Sequence, residues 1–378
     1  MRIVNAKVFI DGAFVDGGVE FDDKIIAAGA DVSGVGDIDA DGRYVIPGLI
    51  DIHTHAAMGE DASDGSTEGV EVMSRYYAAG GVTSWCPTTM TLKEPVLSRA
   101  MRAIRDFKRP NDGAKVAGIN LEGPFLCYSR RGAQAAENLH APDADMFMKL
   151  NEASGGMVRL VTVAPEEKGS LDFIKAVCHF AAVSIGHTDA DYDTAMAAYG
   201  AGACHTTHLY NAMPPLHHRA PGVIAAASDA GATVELIPDG LHVHPSVVRL
   251  TYRLFGDKTV MISDSLRCAG MPDGDYTLGG QPITMKDGKA TLSGTDTLAG
   301  SSIHLMEGLR RAVSFGVPLE AAVTSATLSP ARVIHKDNEI GKIASGMCAD
   351  LVVLDENLHV CDVYIDGKLL NRETTAAK

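Results

Sequence analysis

Histidines and carboxylates recur in this chain where short apolar runs end. The runs end in Asp51-Ile52-His53-Thr54-His55, Leu121-Glu122, Gly186-His187, Thr207-His208 and Ser263-Asp264. Because His53 and His55 are two residues apart, a strand would point both side chains to one face. Imidazoles and carboxylates without thiolates suit zinc or another borderline divalent cation. We expect a divalent metal to be held by Glu122, His187, His208, His53 and His55.

Asp264 differs from these positions because no histidine stands beside it in sequence. A carboxylate next to a metal site accepts a proton from water and returns it to a leaving group. The structural alternative is a helix cap or a loop carboxylate. Together with the candidate ligands, the pattern predicts that Asp264 is the catalytic base of a hydrolytic reaction.

The middle of the chain, residues 46–345, has the alternation needed to bring such residues together. Eight apolar runs are candidate strands: 46–53, 81–86, 115–121, 158–163, 182–187, 203–208, 232–237 and 259–263. Amphipathic stretches such as 68–79 and 245–255 separate most of them and predict helices. This pattern favours a (β/α)8 TIM barrel, whose strands end at one mouth. A doubly wound open sheet is the rival, but no GxGxxG follows the first run.

The two ends of the chain have a different texture, with short β-type runs and turn signals such as Asp11-Gly12 and Asp366-Gly367. We expect residues 1–45 and 346–378 to pair into a small β-sandwich-like domain. The whole chain is then α/β. The stretch 275–293 predicts an inserted hairpin, which a helix follows at 302–315.

Composition limits the partners. The 378 residues include 33 Lys plus Arg and 48 Asp plus Glu, a net charge of −15, which argues against nucleic acid as a partner. No run approaches the roughly 20 apolar residues of a membrane span. Seven scattered cysteines and an N-terminus without signal-peptide character predict a reduced, cytoplasmic protein.

Longer motifs around these residues carry more specific information. They are Leu121-Glu122-Gly123-Pro124-Phe125, Gly186-His187-Thr188, Thr207-His208-Leu209-Tyr210-Asn211-Ala212-Met213 and Leu298-Ala299-Gly300-Ser301. With the HxH pair, they resemble the N-acetylglucosamine-6-phosphate deacetylase branch of the amidohydrolase superfamily. The resemblance runs from Pro47 to Leu351. It implies metal-dependent hydrolysis of the acetamide of N-acetylglucosamine 6-phosphate to glucosamine 6-phosphate and acetate.

The same resemblance assigns roles to the candidate ligands. Glu122, His187 and His208 match the principal metal ligands of the branch. His53 and His55 match the pair that forms a second site in binuclear members, so one or two ions are implied. Zinc is the expected ion, with Fe²⁺ or another divalent metal left open. Asp264 matches the general base, although Ser265 follows it where alanine is expected.

Substrate contacts are implied in the same way. Arg219 matches a phosphate-binding arginine that reaches the neighbouring active site in some members, which implies a homodimer. The other positions matched to the substrate are Ala133, Asn211, Ala212, His242 and Leu298. Arg130 and Arg131 either add positive potential to the pocket or belong to a solvated loop. Cys127 has no assigned role.

Three other functions stay open at this point. N-acetylgalactosamine 6-phosphate differs from the expected substrate in one hydroxyl group. A deaminase or another amidohydrolase would share the metal ligands and Asp264. A catalytically inactive relative would serve as a binding protein, although such chains usually lose ligands that are all present here. A cyclic-amide hydrolase is disfavoured, because the third run ends in Glu122 and has no lysine to bridge two metals.

Overall fold

The computed structural model describes residues 1–370, whose centre is a ring of parallel strands. The barrel strands are Leu49–Thr54, Val82–Thr89, Lys115–Val116 with Ile119–Leu121, Val158–Val163, Ala182–Ile185, His205–Thr206, Thr233–Leu236 and Thr259–Met261. The eighth strand meets the first through a hydrogen bond from Asp264 N to His53 O at 2.9 Å. Each predicted strand overlaps an observed one, and the predicted (β/α)8 barrel is confirmed.

Helices form the outer layer of the barrel. They are Thr67–Ala79, Glu94–Asp106, Ala144–Ala153, Ser170–Val177, Tyr192–Ala201, Gly222–Ala230, Pro245–Phe255, Leu305–Ser314, Leu319–Ala326 and Leu328–Val333. Side-chain caps fix where several of them begin, as when Ser66 Oγ accepts from Gly69 N at 3.0 Å. No helix in the described part of the chain has the length and apolar character needed to cross a membrane.

The barrel interior is layered. Apolar side chains fill its lower part: Ile50, Ile52, Cys86, Leu160, Ala182, Ile237, Val260 and Ile262. This packing explains the near-continuous apolar runs, because strands of a parallel sheet are covered on both faces. The histidines and carboxylates singled out in the sequence lie above this layer, toward the carboxyl ends of the strands. The fold therefore separates a stabilising floor from a chemically active mouth.

Strands from both ends of the chain form a second sheet. It contains Arg2–Ile10, Ala13–Phe21, Ile25–Gly29, Ile38–Asp39, Tyr44–Pro47, Leu351–Leu354, Val360–Ile365 and Lys368–Leu369. Leu351–Leu354 lies antiparallel to Tyr44–Pro47 and so joins the two termini. The predicted pairing of the chain ends is confirmed. Residues 371–378, which the sequence assigns to this small domain, lie outside the described residues.

A three-stranded antiparallel sheet stands beside the barrel mouth, formed by Gly274–Leu278, Gln281–Lys286 and Lys289–Leu292. The sequence predicts a hairpin here, and its turn at Asp287-Gly288 is present. A second turn at Gly279-Gly280, where φ is 54° and 86°, adds the third strand. Leu278, Ile283 and Met285 belong to one apolar cluster with Met90 and Leu266, which fixes this sheet next to the barrel.

Candidate metal centre

Glu122 stands at the centre of the barrel mouth, and four histidines converge on it. Its Oε1 lies 3.1 Å from His208 Nε2 and 3.2 Å from His187 Nε2. The same oxygen lies 3.4 Å from His53 Nε2, and Oε2 lies 3.2 Å from His55 Nε2. All five side chains are buried. The structure thus brings together the residues that the sequence singles out as metal ligands.

These residues and Asp264 form two adjoining groups. One consists of Glu122, His187 and His208, and the other of His53, His55 and Asp264; within each group the possible ligand atoms lie within 4.8 Å of one another. Asp264 Oδ1 lies 3.3 Å from His55 Nε2 and 3.7 Å from His53 Nε2. We call them the Glu122 cluster and the Asp264 cluster. Each has the size and donor types of a site for one divalent cation.

The hydrogen bonding of the imidazoles tests whether a cation fits. His53 Nε2 is buried without a hydrogen-bond partner. His187 Nδ1 lies 2.9 Å from Arg130 O and must donate to it, so Nε2 is the nitrogen of neutral His187 whose lone pair is free to bind a cation. That atom lies 3.0 Å from His208 Nε2. With Glu122 Oε1 also 3.2 Å from His187 Nε2, imidazole nitrogens and a carboxylate converge on one small space, and donors of these types fit a divalent cation.

The carboxylates and imidazoles of the two clusters shift one another's pKa values. Burial disfavours the cation of His55, but hydrogen bonds to Asp264 and Glu122 outweigh it and raise the pKa of His55 to about 9. Burial also disfavours the carboxylate of Glu122, yet His53 and His187 hold the pKa of Glu122 well below its usual range. Contact with His55 similarly lowers the pKa of Asp264 against the effect of burial. A metal ion must therefore displace protons from imidazoles of the site.

Backbone conformation at the strand ends turns these side chains toward the space between the Glu122 cluster and the Asp264 cluster, which we call the cage. His187, His208 and Asp264 have positive φ values of 47°, 25° and 49°. Residues with a Cβ rarely adopt this region, and each such position stores strain that the surrounding structure must offset. The strain occurs at the ends of the fifth, sixth and eighth strands, where the side chains leave the barrel wall.

A second layer of contacts orients the candidate ligands. Gln134 Nε2 donates to Glu122 Oε2 at 2.6 Å, while Thr91 N donates to Gln134 Oε1 at 2.8 Å, which fixes the orientation of the amide. His55 Nδ1 lies 3.1 Å from Thr88 O. The sequence gives no signal for Gln134 as an orienting residue, because nothing in its loop marks the fold-back onto the third strand.

Glu235 is a further contact that sequence reasoning missed. Burial favours its neutral form, but His53 and His205 hold the pKa of Glu235 below its ordinary value. Its Oε2 lies 2.8 Å from His53 Nδ1. A signal did exist, because a glutamate inside the apolar run 232–237 is rarely buried without a partner.

A cavity of about 330 Å³ opens in front of the cage. Its lining includes His55, Glu122, His187, His208 and Asp264, and the predicted substrate residues Ala133, Asn211, Ala212, His242 and Leu298. His242 Nδ1 lies 2.6 Å from Asp239 Oδ2. Burial lowers the basicity of His242, but this contact outweighs it and raises the pKa of His242. The cavity therefore combines candidate metal ligands with an imidazole whose protonated form is favoured by a neighbouring carboxylate.

The arginines of the prediction are placed differently. Arg130 lines the cavity, but its Nη2 lies 2.8 Å from Asp189 Oδ1. Arg131 packs over the ring of Tyr128, 4.3 Å from its centroid. Arg219 does not line this cavity, is exposed, and has its Nη1 2.8 Å from His218 Nε2. A single chain therefore does not bring Arg219 to the cage.

Comparison with known proteins identifies the family. The description "Amidohydrolase family" belongs to the family model that matches residues 44–370. This chain belongs to the amidohydrolase family. Metal dependence is a property of amidohydrolases, and the two clusters are groups of side chains that could hold such a metal.

Individual relatives are similar over nearly the whole chain. N-acetylglucosamine-6-phosphate deacetylase of Bacillus subtilis (strain 168) is 37% identical over 333 residues, 86% of this chain and 84% of that enzyme. N-acetylgalactosamine-6-phosphate deacetylase of Escherichia coli O157:H7 is 36% identical over 334 residues, 87% of this chain and 88% of that enzyme.

A solved structure shows the same likeness in three dimensions. It is that of a mutant N-acetyl-D-glucosamine-6-phosphate deacetylase from Mycobacterium smegmatis in complex with N-acetyl-D-glucosamine-6-phosphate. The two chains superpose with a TM-score of 0.92 at 32% identity, covering 98% of this chain and 99% of the other. The resemblance stated from the sequence motifs is thereby confirmed.

Proposed function

We propose that this amidohydrolase hydrolyses the acetamide of N-acetylglucosamine 6-phosphate and releases acetate and glucosamine 6-phosphate. One observation carries the proposal: the Glu122 cluster and Asp264 face the same cavity, within reach of one small amide. Similarity to deacetylases of this substrate over most of the chain supports it. The place of the reaction is amino-sugar catabolism.

The proposed metal ligands are Glu122, His187 and His208 for one ion, with His53, His55 and Asp264 available for a second. A divalent cation held there supplies Lewis acidity, which polarises an amide carbonyl and makes water a stronger acid. Imidazole and carboxylate donors suit Zn²⁺, and Fe²⁺ is the main alternative. Zinc is our proposal for the native ion.

Asp264 is the proposed catalytic base and acid. Its carboxyl lines the cavity and, because its pKa is lowered, is ionised at neutral pH. It accepts the proton of the attacking water and later delivers a proton to the departing amine, which would otherwise leave as an unstable anion. Its contact with His55 holds the carboxylate at the edge of the cage.

His242 and its neighbours are proposed to orient the sugar. Nδ1 lies 2.6 Å from Asp239 Oδ2, and the raised pKa of His242 favours a proton on Nε2 for donation to the acetyl oxygen or a sugar hydroxyl. Asn211 and Ala212 contribute polar groups at the same wall, the latter through its backbone. Ala133 and Leu298 complete the proposed contacts with the substrate.

The phosphate calls for a cation that one chain does not bring to the cage. Arg130 lines the cavity but is paired with Asp189, and Arg219 is not among the residues that line it. A phosphate dianion is best held by an unpaired arginine fork. We therefore propose a homodimer in which Arg219 of one copy serves the active site of the other.

The competing substrates remain specific alternatives. The similar N-acetylgalactosamine-6-phosphate deacetylase supports the C4 epimer as an alternative substrate. The similar N-acetylglucosamine-6-phosphate deacetylases support the main proposal. A deaminase would release ammonia, and an inactive binding protein would release nothing. The cytoplasmic location stays a prediction.

An assay of released products separates these functions. Metal-loaded protein is incubated with N-acetylglucosamine 6-phosphate, N-acetylgalactosamine 6-phosphate and unphosphorylated N-acetylglucosamine, and acetate and ammonia are measured. We expect acetate, no ammonia, and the highest kcat/KM for the phosphorylated gluco compound. Ammonia release, or equal rates with the unphosphorylated sugar, would contradict the proposal.

A further inference from the structure

Glu235 is a buried carboxylate beneath the cage that no step of the proposed mechanism uses. It lies on the seventh barrel strand, Thr233–Leu236, and its side chain is fully buried. Its ion-pair partners within residues 1–370 are His53 and His205, with no lysine or arginine. A glutamate is kept in such surroundings only when its oxygens are paired.

One oxygen of Glu235 connects the two metal clusters. Oε2 accepts from the backbone N of His208 at 3.0 Å and lies 2.8 Å from His53 Nδ1. Because His53 and His205 keep the buried carboxyl of Glu235 ionised, Oε2 accepts in both contacts, and His53 carries a hydrogen on Nδ1. Nε2 of His53, which has no hydrogen-bond partner, is therefore the nitrogen left to ligate a cation in the Asp264 cluster.

The other oxygen is held by a residue outside both clusters. Oε1 lies 3.2 Å from His205 Nε2, and His205 Nδ1 lies 2.6 Å from Thr233 Oγ1. His205 is itself fully buried at the start of the sixth barrel strand. With both oxygens engaged, the Glu235 carboxylate does not rotate freely, and the ring of His53 is fixed with it.

We propose that Glu235, held by His205, is a positioning residue that determines whether the Asp264 cluster binds a second divalent cation. The inference rests on the proposed function only in taking the two clusters as metal sites. The Asp264 cluster has one carboxylate and two imidazoles, so a fixed imidazole and a nearby negative charge both strengthen its hold on a cation. The Glu122 cluster receives a backbone contact at His208 alone.

Metal binding tests this inference without any sugar. Metal-free wild type and Glu235→Gln are titrated with Zn²⁺ by calorimetry, and bound zinc is counted by elemental analysis after gel filtration. Glutamine keeps the shape of the side chain and an acceptor oxygen but removes the charge. We expect two ions in the wild type, and in the variant one ion weakened by roughly 10- to 100-fold while the other keeps its affinity.

A matched control and a second variant make the result decisive. Glu166→Gln alters a carboxylate that accepts hydrogen bonds from Thr188 Oγ1 and Asp189 N beside the Glu122 cluster. This control should leave unchanged the affinity of the ion that Glu235→Gln weakens. His205→Gln should weaken that same ion to a smaller degree. If Glu235→Gln fails to fold, as judged by circular dichroism of the metal-free protein, His205→Gln decides.

Several results would overturn the inference. One is a single bound ion in the wild type. Another is two ions of unchanged affinity in Glu235→Gln, or in His205→Gln if Glu235→Gln does not fold. A third is a Glu166→Gln variant in which the second ion is weakened as much as in Glu235→Gln. Failure of the proposed function is distinguishable, because a chain that binds two ions as described but releases no acetate leaves this inference standing.

Discussion

Replacing Asp264 by asparagine separates proton transfer from metal binding. The amide has the size of the carboxyl and keeps an oxygen toward His55 Nε2, now 3.3 Å from Asp264 Oδ1, but it neither accepts nor returns a proton at neutral pH. General acid–base catalysis contributes about 10²- to 10⁴-fold. Because Asp264 is proposed to act in both directions, we expect a loss near 10⁴-fold in kcat, which corresponds to about 5 kcal/mol.

The assay measures acetate release from N-acetylglucosamine 6-phosphate at saturating Zn²⁺, with bound metal counted in the same samples. Saturation matters because the substitution also removes a charge from the Asp264 cluster. Asp296→Asn, an exposed residue on the loop that precedes Leu298, is the matched control and should keep wild-type turnover. A metal-loaded Asp264→Asn enzyme that turns over within tenfold of the wild type would refute the assignment.

Three further predictions address orientation, stability and pH. Asp239→Asn removes the charge that contacts His242 Nδ1. Because a charged hydrogen bond is about 1.4 kcal/mol stronger than a neutral one, we expect kcat/KM to fall by about tenfold. An unchanged kcat/KM in steady-state kinetics would contradict this role. Lys115 joins the barrel to the terminal sheet through Asp350 and Asp366, at 2.7 Å from each. Lys115→Met should therefore lower the free energy of unfolding, measured by urea denaturation, by about 3 kcal/mol. The exposed control Lys168→Met should lower it by less than about 0.5 kcal/mol. The pKa of His55 is raised to about 9 in the metal-free protein, so a cation that binds below that pH must release the proton of His55. Zn²⁺ affinity, measured by chelator competition, should therefore fall by about tenfold for each unit that the pH is lowered from 8 to 6.5. An affinity independent of pH would exclude this linkage.

Much of the fold can be predicted because its physics is local. Strands covered on both faces are mostly apolar, so Val158–Val163, in which only Arg159 and Thr162 are polar, is predicted with its observed bounds. The helix Pro245–Phe255 is likewise predicted to the residue, since proline at the first turn and an amphipathic period mark it. The convergence of Glu122 with the histidines follows from the barrel rule that strands end at one mouth.

Other features depend on contacts that no local pattern encodes. Glu235 and His53 are 182 positions apart, and only the closed barrel places the carboxylate beneath the imidazole. Gln134 reaches Glu122 through a loop whose path is set by tertiary packing. Arg219 does not line the active-site cavity of its own chain. Its proposed role depends on the active site of a second copy, so the geometry of a single chain does not bring Arg219 to that site.

The most direct test of the metal centre is a crystal structure of the zinc-loaded protein, with anomalous scattering recorded on both sides of the zinc absorption edge. We predict an anomalous peak about 2.0–2.2 Å from Glu122, His187 and His208, with a second peak between His53, His55 and Asp264. Zinc bound elsewhere, with those three side chains making only hydrogen bonds to one another, would contradict the account.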